Sequence, residues 1–162
     1  MPTFFVLISE YFWLLALVFG VINYRKALST SAMAATSNQT NEAESYLKRF
    51  AIGANVPWVV MGIGQVSGYT PTVWYYFRPQ DGNPFVIAWL AVILLTTSLY
   101  SYWVLFAGGA QKVLDYNLMS AVGQHKAKLQ SLRSIKLFAA FGPLFLPFWV
   151  YLAASMDVPL PK

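Results

Sequence analysis

Long apolar runs separated by short polar stretches set the pattern of this chain. The run from Phe85 to Ala107 carries no charge, and its small polar residues are only Thr96, Thr97, Ser98 and Ser101. At about 1.5 Å of rise per residue it spans roughly 34 Å, enough to cross a hydrocarbon core of about 30 Å. Asn83 suits the N-cap of such a helix, and Pro84 suits its first turn, where the missing N–H costs nothing. The pattern predicts a transmembrane helix over 85–107.

Three further runs follow the same logic. The first, 3–24, is interrupted only by Ser9, Glu10 and Asn23. It reads as a reverse signal anchor rather than a cleaved leader, because no basic residue precedes it and Arg25-Lys26 follows. The second, 50–68, is the least apolar, with Asn55, Pro57, Gln65 and four glycines. The last, 135–156, contains Gly142, Pro143 and Pro147. Each internal proline removes a helical hydrogen bond, so kinks are predicted at Pro57, Pro143 and Pro147. Ala16 with Gly20, and Gly64 with Gly68, are small-residue pairs of the kind that let helix backbones approach closely, here expected to serve internal packing. The fold class expected is all-α: one domain over 1–162, an integral membrane bundle of four transmembrane helices.

The connections are read as follows. Residues 29–41 are small and polar, and predict a flexible cytoplasmic linker. Asn41 with Glu44 matches a capping box at the start of the next helix, and Glu44–Lys48 is an i,i+4 pair. The 69–83 loop holds Trp74-Tyr75-Tyr76-Phe77, aromatic rings of the kind that settle at headgroup level, so the loop is expected to lie along the interface.

Composition decides how the charge is read. The chain is 57% hydrophobic and 17% aromatic but only 10% charged, against about 25% charged in soluble domains. Its net charge of +5 therefore points to membrane topology, not to nucleic acid. Of eleven basic residues, nine (Arg25, Lys26, Lys48, Arg49, Lys112, Lys126, Lys128, Arg133 and Lys136) fall on one side of the predicted spans, leaving Arg78 and Lys162 on the other. The positive-inside rule then places both termini on the outer side of a plasma or inner membrane. Arg25, Lys26, Lys126, Lys128 and Arg133 are expected to contact anionic lipids, at about 1 kcal/mol each.

Candidate chemistry is sparse. There is no cysteine, and His125 is the single histidine, so thiolate and bis-histidine centres are excluded. No phosphate-binding loop is present. No catalytic residue, cofactor or metal site is predicted. Glu10 stands out, because a carboxylate roughly 10 Å inside the first span must pair, protonate or face the bundle. Gln65 and Arg78 are its expected partners in a candidate intramembrane polar site. The functional expectation is an accessory, assembly or scaffold subunit of a membrane complex, with other membrane subunits or a second copy as partners. The alternative is a small proton-coupled transporter built on Glu10.

Overall fold

Asn83 caps the most apolar helix as its position predicts: its side chain accepts a hydrogen bond from Phe85 N at 3.0 Å, and Pro84 begins the first turn. The computed structural model describes residues 3–34, 37–119 and 131–155, and within them every regular element is helical. The elements are α1 (Thr3–Glu10), α2 (Phe12–Ala34), α3 (Ser37–Val66), two short 3-10 turns (Val73–Phe77 and Pro79–Asp81), α4 (Pro84–Phe106), α5 (Gly109–Asp115) and α6 (Leu132–Ser155). Among the described residues, three helices are long and apolar enough to cross a membrane: α2 over Phe12–Ser29, α4 over Pro84–Phe106 and α6 over Leu132–Ser155. α3 is not among them.

Several expected boundaries move. The first run is not one helix. It bends at Tyr11 between α1 and α2, although Tyr11 N and Leu15 N still donate to the carbonyls four residues before them. Ser9 Oγ donates to Val6 O at 2.8 Å, and such back-bonding bends helices. The 29–41 segment, expected as a flexible linker, is helical on both sides of residues 35 and 36, because α2 continues to Ala34 and α3 begins at Ser37. Asn41 consequently lies inside α3, and no capping box starts there. Small residues need not end a helix: alanine and serine tolerate one well once neighbouring turns propagate it. α3 ends where Gly68 takes a left-handed φ of 79°. Helix continues through Pro57 in α3 and through Pro143 and Pro147 in α6.

The long helices form an open row rather than a closed bundle: α2 packs on α3, α3 on α4, and α4 on α6, with α5 against α4 and α6. Two packed cores lie at opposite ends of these helices, each spanning the row from α2 to α6. One joins Ala27, Leu47, Val104, Val113, Leu118 and Ile135, and the other joins Met61, Tyr76, Val86 and Trp89. Small residues set the spacing between α2 and α3. A Cβ at Gly20 would lie 2.2 Å from Asn55 Oδ1, and one at Gly62 would lie 2.5 Å from the Trp13 ring. These glycines serve packing within the chain.

Candidate functional site

Polar side chains gather at the two ends of the helices, and each group is held by elements far apart in sequence. At the first end, α3 and the loop after it fold back on themselves. Tyr76 is fully buried; its hydroxyl donates to Met61 O at 3.0 Å and lies 3.0 Å from Thr70 Oγ1. This closure requires glycine at position 64, where a Cβ would sit 2.5 Å from the Tyr76 hydroxyl and 2.6 Å from Thr70 Oγ1. Burial raises the Tyr76 pKa above its ordinary value, and the hydrogen bond with Thr70 opposes this in part. Around Tyr76, rings meet edge to face: Tyr76–Trp89 at 5.2 Å, Phe77–Trp149 at 5.6 Å and Trp89–Trp149 at 6.2 Å. The loop expected to lie along the interface therefore turns Tyr76 of its Trp74–Phe77 run inward, because Thr70 and Met61 O give the tyrosine hydroxyl buried partners.

The sequence-predicted site residues lie near this end. Gln65 is buried, and its Nε2 donates to the carbonyl of Ser9 at 3.4 Å. Gln65 Oε1 is buried without a hydrogen-bond partner among the described residues. Glu10, one residue past Ser9 and half-buried, ends α1. Arg78 engages Asp81 instead, with Nε 2.9 Å from Oδ2 and Nη2 donating to Oδ1 at 3.2 Å. The bond that ties α1 to α3 therefore runs through the Ser9 backbone, and Arg78 braces its own turn.

At the other end, a constellation absent from the sequence reading surrounds Lys112 of α5. Lys112 Nζ lies 2.6 Å from Glu42 Oε1 of α3. The same ammonium sits 5.4 Å from the Tyr46 ring centroid and 5.3 Å from that of Tyr116. Tyr46 stacks on Trp103 at 5.9 Å and on Tyr116 at 5.6 Å, with interplanar angles of 23° and 22°. The hydrogen bond to Lys112, and then that to Tyr116, holds the Glu42 carboxyl below its ordinary range. Glu42 in turn raises Lys112 and Tyr116. Chemically this is a latch: the cation is paired with a carboxylate and lies against two rings. The signal was present as two i,i+4 pairs, Glu42–Tyr46 and Lys112–Tyr116, each on one helical face. Nothing in the sequence said that the two faces meet.

Of the residues expected to contact anionic lipids, Arg25, Lys26 and Arg133 are exposed. Lys126 and Lys128, together with His125, lie outside the described residues. Among the described residues, no three His, Cys, Asp or Glu side chains converge as a metal site would need. Set beside known protein families, curated proteins and solved structures, the chain matches none of them significantly.

Proposed function

We propose that the chain is an accessory, assembly or scaffold subunit of a membrane complex, crossing a plasma or inner membrane four times with both termini outside. The observation that carries this reading is the open row. Its terminal helices, α2 and α6, are each covered by one long neighbour, and they expose Phe19, Phe141, Phe145 and Tyr151. A bilayer solvates such side chains, but an open row of aromatic faces also suits seating against further helices or a second copy, where close packing supplies the association. Both polar ends are tied within the chain, an arrangement fit for holding a shape.

The fourth crossing is α3. Its lower apolarity follows from its place, since it packs on α2 and on α4 and exposes less of itself to lipid. Two of its side-chain amides also find acceptors: Asn55 Nδ2 donates to Ala51 O at 2.7 Å, and Gln65 Nε2 donates to the Ser9 carbonyl of α1 at 3.4 Å. A polar helix inserts when its neighbours take up its polar groups. The basic residues then lie on the cytoplasmic face, where anionic lipids meet them.

Two measurements test the reading. Gentle solubilisation from native membranes should yield the chain with partners, or a second copy, in fixed stoichiometry; a monodisperse single chain refutes it. In a chain without native cysteines, a cysteine at Gln80 should label only from outside and one at Gln124 only from the cytoplasm. Cytoplasmic labelling at Gln80 overturns the topology.

A further inference from the structure

Between the two packed ends, α3 and α4 part to leave an elongated cleft of about 500 Å³. Phe50, Gly53, Pro57 and Trp58 form one wall, with Ile93 and Leu99 on the other. Thr96 and Thr97 also line it, but their hydroxyls are turned to their own helix: Thr96 Oγ1 donates to Val92 O at 2.8 Å, and Thr97 Oγ1 to Ile93 O at 2.6 Å. What these threonines leave for the cleft is apolar. One charged group borders it, Arg49, at the end of the cleft nearest the Lys112 latch. Arg49 is exposed, and no carboxylate among the described residues pairs with it. From Arg49 to Trp58 the helix rises roughly 13 Å, close to the depth of one leaflet's hydrocarbon, about 15 Å.

We propose that this cleft is a binding site for one anionic phospholipid, with an acyl chain along the α3–α4 furrow and the phosphate on the Arg49 guanidinium. Three features select this occupant over a partner helix. The furrow is one leaflet deep, its wall is apolar, and its mouth holds an unneutralised guanidinium whose planar fork fits a phosphate. The site rests on the reading of α3 as a membrane crossing and not on the accessory role, so loss of the lipid preference leaves that role standing.

The test uses the full-length protein in nanodiscs of phosphatidylglycerol and phosphatidylcholine in equal parts, followed by mild release and native mass spectrometry of the retained lipid. Wild type should keep phosphatidylglycerol in preference to phosphatidylcholine. Arg49→Gln should lower that preference about fivefold, the factor expected for one basic group at the headgroups, and Arg49→Lys should keep most of it. Gly53→Leu fills the cleft from a position where an added Cβ meets nothing within 4 Å, and it should lower retention of both lipids. Leu144→Ala, at an exposed position of α6, should change neither. Circular dichroism checks that each variant is folded, and if one variant fails to fold the other decides. The proposal is wrong if wild type shows no preference, if folded Arg49→Gln keeps the wild-type ratio, or if folded Gly53→Leu retains lipid unchanged. It is equally wrong if Gly53→Leu leaves the lipid in place but releases a polypeptide that accompanies the wild type from native membranes, since the cleft then seats a helix.

Discussion

The closure of the first polar end makes the sharpest energetic prediction, because one glycine and one hydroxyl share a single space. Tyr76→Phe removes a hydroxyl bonded to Met61 O and to Thr70 Oγ1, both at 3.0 Å. Each buried neutral hydrogen bond contributes about 1 kcal/mol net, so the loss should be about 2 kcal/mol. Gly64→Ala places a Cβ 2.5 Å from that same hydroxyl and 2.6 Å from Thr70 Oγ1. Overpacking of this kind costs about 1–3 kcal/mol, offset by up to about 1 kcal/mol of helix propensity. In the double variant the hydroxyl is gone and Thr70 is free to rotate, so the added methyl finds room. The two changes should then cost about 1 kcal/mol less than their sum. Reversible unfolding in detergent micelles, followed by tryptophan fluorescence from the nearby Trp89, measures all four corners of this cycle. Additivity within about 0.5 kcal/mol refutes the claim that Gly64 exists to admit Tyr76. A Tyr76→Phe cost below about 0.5 kcal/mol refutes the buried bonds themselves.

Further outcomes follow from other contacts. Glu10→Gln should leave stability unchanged, and also the recovery of any partners, because Gln65 reaches the Ser9 carbonyl and not the carboxylate; loss of function in a folded Glu10→Gln variant would instead favour the proton-coupled carrier. Lys112→Met should raise amide exchange across 109–115, where α5 is latched to α3, with little change in α6. The latch should respond to acid with a defined sign. Glu42 is depressed in the folded state, so its contribution is present above the ordinary value of 4.5 and is lost as pH falls through the lower folded value. Exchange of 109–115 that stays flat down through that range contradicts the pairing. Tyr76 has the opposite sign: its raised pKa means stability present below the ordinary value of 10.0 and lost as pH rises past the folded value, read by ultraviolet titration of the phenol. Gly20→Leu should cost about 1–3 kcal/mol by driving α2 away from Asn55, and a neutral result in thermal unfolding removes Gly20 from the α2–α3 contact.

What the sequence by itself determined is the class and the places where helices lie. Phe85 to Ala107 has no polar face to offer water and forms a helix long and apolar enough to cross a membrane, and Asn83 with Pro84 fixes its start by chemistry that acts within four residues. Local rules also found Gln65 and Glu10 as the polar intruders of their segments, and they made Gly20 and Gly64 candidates for close approach. They misjudged 29–41, because small polar residues neither favour nor forbid a helix strongly and the outcome depends on the turns on either side. Only the tertiary structure decided which helices touch. Periodicity carries no address, so α2, α3, α4 and α6 were equally compatible with a closed bundle, and the open row follows from which grooves meet which ridges. The same reason hid the latch. Glu42 and Lys112 are 70 residues apart, and their pairing depends on the angle at which α5 leaves α4 past Gly108 at a φ of 74°. The inward turn of Tyr76 likewise rests on two acceptors, Met61 O and Thr70 Oγ1, which only the folded chain brings to one place.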